Sequence, residues 1–169
     1  MFNLTEDQEM IQKMVREFAE ERIAPTVLER DDKHIFDRKI VDELGQIGLT
    51  GLYFPEEYCG AGADNLSYIL AVEELSKVDD GIGVTLSANV SLCANSIYEF
   101  GSEEQKAKYL TQLASGESLG AFGLTEPGAG TDAAGQHTVA VLQYDHYVLN
   151  GSKIFITNGS EAEIYVVFA

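Results

Sequence analysis

The hydrophobic period of this chain changes near residue 118, and that change limits the fold more than any other feature. Upstream, apolar side chains recur every three or four positions, the spacing of one helix face. Downstream, β-branched and aromatic residues come in short runs broken by glycine, the pattern of strands and tight turns. Helices followed by strands, rather than alternating with them, predict an α+β chain in two parts. An all-α domain is expected over residues 1–117 and a partial β domain over 118–169. No internal repeat or low-complexity segment crosses the junction.

Local signals fill in the elements. Thr5 followed by Gln8 makes a capping box, and Ile11, Met14, Val15 and Phe18 then mark one buried stripe running to Pro25. A second helix is predicted from about 37, with Ile40, Val41, Leu44 and Ile47 inside and Gly48 as its stop. A third covers 66–78 and ends in the turn Asp79-Asp80-Gly81. A fourth, 84–100, is apolar or small on most faces, which implies burial on several sides. Gly101 ends it, Ser102 with Gln105 opens a fifth helix, and Gly116 closes that one. Strands are then predicted over 119–124, 138–144, 147–149, 153–157 and 164–168, with Asn150-Gly151 as a hairpin turn. The last strand has no successor, although a small sheet needs further strands to close or protect its edges. The chain therefore reads as truncated.

Composition excludes some functions. A formal net charge of −17 disfavours nucleic acid and anionic membrane surfaces as partners. No segment reaches the ~20 apolar residues of a transmembrane helix. The opening MFNLTEDQEM lacks the basic and apolar regions of a signal peptide, and its early acids argue against a mitochondrial transit peptide. Cys59 and Cys93 have no paired spacing, which fits a reducing compartment, and a bacterial cytoplasm is the expected address.

The chemistry concentrates in one glycine-rich loop. Gly128-Ala129-Gly130-Thr131-Asp132-Ala133 satisfies the dinucleotide fingerprint G-x-G-x-x-A. That fingerprint needs a crossover helix after it, and the next segment, Gln136 to Val141, is short and β-branched. A Rossmann nicotinamide site is therefore rejected. The glycines still leave backbone N–H groups able to converge on an anion, with the Thr125 and Thr131 hydroxyls as further donors. A phosphate or pyrophosphate site and an ordinary glycine-rich turn both fit these residues. Glu126 is a possible acid or base, and its expected job is to orient the loop. His34, His137 and His146 share no metal-ligand spacing with each other or with the cysteines, so no metal is expected. Ser118 and Ser160 lie in no nucleophile elbow.

The longer stretch Gly123-Leu-Thr-Glu-Pro-Gly-Ala-Gly-Thr-Asp-Ala-Ala-Gly135 is similar, position by position, to the first signature of the acyl-CoA dehydrogenase family. Asn150-Gly-Ser-Lys-Ile-Phe-Ile-Thr-Asn158 resembles the flavin-flanking strand of that family. Phe54-Pro-Glu-Glu-Tyr58 and Phe100-Gly-Ser-Glu-Glu-Gln-Lys106 agree in order and spacing.

The resemblance implies that the β part begins an antiparallel β-barrel-like domain and that the cofactor is FAD. Phe122, Leu124 and Thr125 would line the flavin ring and contact its pyrimidine edge. Gly130 and Thr131 would lie at the FAD pyrophosphate, with Thr131 also at the substrate's pantetheine. Phe155, Ile156 and Thr157 would flank the ring, the Thr157 hydroxyl near flavin N5. Relatives often carry Trp at position 155, and Phe drops the indole N–H. Cys59 stands where relatives commonly carry Gly, so a positive φ there would strain it. Segment 86–96 resembles the acyl-pocket wall of short-chain (butyryl-CoA) members, making Val90, Leu92 and Cys93 candidate wall residues. Plain core packing is the other reading of these three and of Phe122, Leu124 and Phe155.

The implied reaction is α,β-dehydrogenation of an acyl-CoA, probed most simply with butyryl-CoA, with electrons passed to an electron-transferring flavoprotein. The resemblance further implies a homotetramer. The base would be a Glu from a C-terminal helical domain, so no catalytic residue is expected within residues 1–169, and these residues alone should not dehydrogenate substrate. Two other readings stay open: a module that binds acyl-CoA or flavin without catalysis, and an interaction domain that has lost both ligands.

Overall fold

A computed structural model describes residues 3–169; Met1 and Phe2, at the head of the expected helical domain, lie outside the described residues. Helix α1 (Glu6–Phe18) starts with the expected capping box, Gln8 N donating to Thr5 Oγ1 at 3.3 Å and Thr5 N to Gln8 Oε1 at 3.0 Å. Pro25 does not end the rod. The path runs through a π-helical stretch, Ala19–Ile23, and a tight turn, Ala24–Thr26, into α2 (Val27–Asp32). Proline sits in the first turn of the new segment, where its missing N–H leaves no bond unmade.

Helix α3 (Arg38–Gln46) is capped by Asp37, whose carboxylate accepts from Lys39 N. Helix α4 (Asn65–Ser76) is capped by Asp64 accepting from Ser67 N. The run Asp79-Asp80-Gly81 does not merely end α4. Asp79 Oδ1 accepts from Ile82 N at 3.1 Å and so opens α5 (Asp80–Ser87). This rod continues through the π-helical stretch Ala88–Ala94 into α6 (Asn95–Phe100). A second capping box at Ser102 and Gln105 starts α7 (Glu103–Gln105), and the path continues to α8 (Thr111–Ser115). Gly116 stops it at φ 77°, a conformation in which a Cβ is strained.

These helices enclose one core. Val15, Ile23, Leu44, Leu49, Phe54, Leu75, Leu86, Leu110 and Leu113 are all within it and essentially without solvent contact. The buried carboxylate of Glu74 on α4 is held by Arg16 of α1, through contacts of 3.0 and 2.8 Å, and by Lys77 at 2.8 Å.

Four strands come next. β1 (Gly120–Gly123) lies against the π-helical stretch and pairs with β4 (Ile164–Val167), and the pairing is parallel. β2 (Val139–Gln143) and β3 (His146–Asn150) form an antiparallel hairpin. The hairpin turns at Tyr144-Asp145, with Tyr144 at φ 58°, and not at Asn150-Gly151. Asn150 is instead the last paired residue, opposite Val139, and Gly151 tucks so tightly against Thr138 that a Cβ would lie 2.7 Å from the Thr138 Cα. The strand expected at 153–157 does not form. Phe155 is left-handed at φ 56°, which no ladder accommodates, and Lys153 is drawn toward the loop after β1. Among the described residues no helix is long and apolar enough to cross a membrane.

Candidate functional site

The site is organised by the two edges of β1. Ile164 N donates to Leu119 O at 3.2 Å and Phe168 N to Gly123 O at 3.0 Å, so the odd-numbered residues of β1 address β4. Alternation then sends the peptide groups of Gly120 and Phe122 to the opposite edge. At Gly120 that edge is filled by two asparagines: the amide donates to Asn89 Oδ1 at 2.7 Å, and the carbonyl accepts from Asn158 Nδ2 at 3.0 Å. The peptide groups of Phe122 have no hydrogen-bond partner among the described residues. Two residues further on, the Leu124 carbonyl accepts from Lys153 Nζ at 2.9 Å.

Past β1 the glycine-rich loop is tied by a buried carboxylate. Glu126 accepts from the amides of His137, at 2.6 Å, and Thr138, at 2.9 Å, and from Lys153 Nζ at 2.8 Å. The His137 amide is the foremost cause holding the Glu126 carboxyl far below the usual carboxylate range, followed by the Lys153 ammonium. Glu126 is thus an ionised strut, which agrees with its expected orienting job and leaves it a poor proton acceptor. Lys153 also reaches Gln136 Oε1 at 3.0 Å, so one ammonium joins both ends of the loop to the segment after β3. Between those ends, Glu126 and Ala129 exchange backbone bonds of 3.0 and 3.1 Å around Pro127-Gly128.

Gly128 and Gly130 give a direct test of what the loop is for. A Cβ at either would meet nothing within 4 Å, and neither has a positive φ. The packing and backbone of this chain therefore do not require glycine at these positions. What glycine does provide is bare, exposed peptide, suited to close approach by a ligand.

The segment after Lys153 runs beside the loop. Ile154 N donates to Thr125 O at 2.9 Å, which sets Phe155 next to the end of β1. Phe155 is 90% exposed despite its large apolar ring. Asn158 then closes the segment, itself left-handed at φ 64° and donating from Nδ2 to both Gly120 O and Thr85 O.

The anticipated residues are thereby partly gathered. Phe122, Leu124 and Thr125 stand beside Phe155, Ile156 and Thr157 through the 125–154 bond, with Gly130 and Thr131 exposed on the adjoining loop. Phe122 meets Phe168 edge to face, with ring centroids 5.1 Å apart. Val90 and Cys93 face the core with no solvent contact, and burial pushes the Cys93 thiol up to about 11. Their backbone position on the rod turns them inward under β1, away from any open wall. Leu92, by contrast, is 43% exposed. Cys59 is left-handed at φ 63°, the strained conformation anticipated for it. Sequence reasoning assigned no role to Asn89, Lys153 or Asn158. An available signal was Asn158-Gly159, a dipeptide that favours left-handed turns.

Comparison with known proteins settles the family. A family model described as acyl-CoA dehydrogenase, N-terminal domain, matches residues 5–117, and one described as acyl-CoA dehydrogenase, middle domain, matches 121–169. The chain belongs to the acyl-CoA dehydrogenase family. Short-chain specific acyl-CoA dehydrogenases from Megasphaera elsdenii and Clostridium acetobutylicum are each 59% identical over 99% of this chain. The chain spans 45% and 44% of their lengths. Among solved structures, butyryl-CoA dehydrogenase from Megasphaera elsdenii matches with a TM-score of 0.95 and 58% identity, covering 100% of this chain and 45% of that one. A chain in a structure of the electron transferring flavoprotein of Acidaminococcus fermentans matches with a TM-score of 0.98 and 69% identity, covering 100% and 44%. In this acyl-CoA dehydrogenase chain a helical part precedes a small sheet portion.

Proposed function

We propose that this chain carries the flavin-binding face, and part of the substrate-binding face, of an enzyme that dehydrogenates a short-chain acyl-CoA to the trans-2-enoyl-CoA. One observation carries the reading: the run from Phe122, with its open peptide edge, to Thr125 is joined by the 154–125 bond to the segment that bears the exposed Phe155 ring, next to a loop whose glycines this chain does not itself require. A flat, partly apolar ring with a polar edge fits that arrangement. Phe122, Leu124 and Thr125 receive the pyrimidine edge, and Phe155, Ile156 and Thr157 cover the ring, with the Thr157 hydroxyl toward N5. Gly130 and Thr131 face the pyrophosphate, and Thr131 also reaches the pantetheine. Bound FAD supplies the acceptor for the hydride that leaves the substrate β-carbon.

The residues of this chain bind and orient; none is placed to take the α-proton. Glu126, the buried acid of the loop, is fully engaged and held ionised by its donors. The base is assigned, by family resemblance, to a Glu outside these residues. Of the three candidate wall residues, the acyl chain falls to Leu92, because Val90 and Cys93 are spent in the core. Electrons pass on to an electron-transferring flavoprotein, the assembled enzyme is a homotetramer, and the setting is a bacterial cytoplasm. The free thiols of Cys59 and Cys93 fit that compartment.

The test is Thr131→Asp in flavin-loaded protein. A carboxylate beside pyrophosphate in a partly dry site repels it strongly, and flavin content read from visible absorbance should fall about tenfold or more. Stoichiometric flavin in the variant removes this loop from the pyrophosphate site.

A further inference from the structure

Asn158 is the one buried residue among residues 151–169. On one side of Phe155–Thr157 the segment is fixed by the Lys153 ammonium and the 154–125 backbone bond. On the other side Asn158 is the nearest tie, ahead of the Arg38 contacts to Glu161 and Glu163 and the β1–β4 pairing that hold the residues beyond it. Its side-chain amide donates at 3.1 Å to Thr85 O, on the buried rod, and at 3.0 Å to Gly120 O, on the outer edge of β1. Its carbonyl accepts from Glu161 N and Ala162 N, closing the turn that leads to β4. The orientation of the side chain is forced, since an amide oxygen cannot face two carbonyl oxygens.

Two requirements meet at this position. The backbone is left-handed, which asparagine tolerates better than most residues. The side chain must be a double donor of short reach, which glycine, the other residue at ease there, lacks. We propose that Asn158 is the positioning residue that sets Phe155, Ile156 and Thr157 against the flavin, acting through its two bonds to Thr85 and Gly120. Asn89 completes the device by holding the amide of the same Gly120 whose carbonyl Asn158 grips. The rod, β1 and the flanking segment are thus referenced to one residue, Gly120. This rests on the flavin reading above.

The experiment compares Asn158→Gly and Asn158→Asp with Phe155→Ala in flavin-loaded protein. Flavin dissociation, the visible flavin band and amide hydrogen exchange are all read. Asn158→Gly keeps the backbone at ease and removes only the two donors; Asn158→Asp keeps shape and turn preference but points an oxygen at two carbonyls. Both should weaken flavin binding about tenfold, perturb the band, and speed exchange at the hydrogen-bonded Gly159, Glu161 and Ala162 amides about tenfold, with helix α4 unchanged. Asn158→Gly behaving as wild type overturns the proposal. So does uniform faster exchange including α4, which would mark a general structural role. If Phe155→Ala leaves flavin affinity and band untouched, the flavin reading of the segment is what fails. If Phe155→Ala moves them and neither Asn158 variant does, the reading stands and the positioning role alone is lost.

Discussion

The helical part and the β2–β3 hairpin treat their apolar residues in opposite ways. Helices α1–α8 hide Phe54, Leu75, Leu86 and Leu113 in a core shared between them. The β2–β3 hairpin hides almost nothing: Val139, Val141, Leu142, Tyr144, Tyr147 and Leu149 are all exposed, on both faces. A two-stranded hairpin with no covered face is marginal by itself. The helical part therefore carries its own stability. The hairpin and the loops beside it present surface and are ordered by polar ties such as Glu126, Lys153 and Asn158, whereas Leu119 and Ala121 join the buried core. The packed helical core and the exposed hairpin are thus separated along the chain.

The sharpest way to break this contrast is a pair of truncations. Phe54→Ala should destabilise by about 3–5 kcal/mol, as an emptied aromatic core site does, whereas Leu142→Ala in the hairpin should change stability by less than about 0.5 kcal/mol. Urea unfolding of both variants decides it, and comparable losses would mean the hairpin is packed after all.

A smaller effect tests the polar ties. Glu126→Gln keeps the shape but removes the charge that balances Lys153, and should cost about 1–3 kcal/mol. The cost should show as faster amide exchange at His137 and Thr138, with helical amides unmoved. Loss of helical protection would contradict the separation of the two parts.

The helical part has a charged tie of its own, and it predicts pH dependence. Hydrogen bonding from Arg16, the largest cause, holds the buried Glu74 carboxyl at about 2, below its usual value of 4.5. Depressed on folding, the group contributes stability in full above about 4.5, and that contribution is lost as pH falls from there toward 2. Glu74→Gln should cost about 2 kcal/mol at neutral pH, and its stability should depend less on pH across that window. A denaturation series from pH 7 to 2 reads the difference; parallel curves would remove Glu74 as a source of acid sensitivity.

The smallest change expected is a gain. Cys59→Gly relieves a left-handed cysteine and should stabilise by about 1 kcal/mol or less, part of the relief being offset by the greater freedom of glycine when unfolded. A fall in thermal midpoint would show that the Cys59 side chain contributes more than its conformation costs.

What the sequence disclosed, and what it withheld, divides by distance along the chain. The caps at Thr5 and Ser102 were readable because cap and partner sit three residues apart. Asp79 was ambiguous for a local reason: Asp-Asp-Gly suits a turn and a helix start equally well, and only the Ile82 bond decides. The glycine-rich loop motif was legible as a pattern, but not the carboxylate–ammonium knot inside it, which spans 27 residues between Glu126 and Lys153. That knot is also why 153–157, strand-like by composition, is not a strand. The parallel pairing of β1 with β4 leaps over the whole hairpin, and nothing in either short run announces it. Val90 and Cys93 looked like wall residues because their segment matched one, yet a rod buried on several sides leaves only Leu92 of the three outward.

Gly120 has a consequence for how β1 finds its place. A Cβ there would fall 2.7 Å from the Cys93 Sγ and 2.8 Å from its Cβ, so no other residue of Leu119–Phe122 can occupy that notch. A strand shifted by one residue would press Leu119 or Ala121 into the cysteine, and would also swap which peptide groups face β4 and which face outward. The glycine therefore acts as an index mark, a missing tooth that lets the strand seat in one register only. Inserting or deleting a single residue between Ser118 and Gly123 would misaddress every group downstream, however well each side chain suited its surroundings.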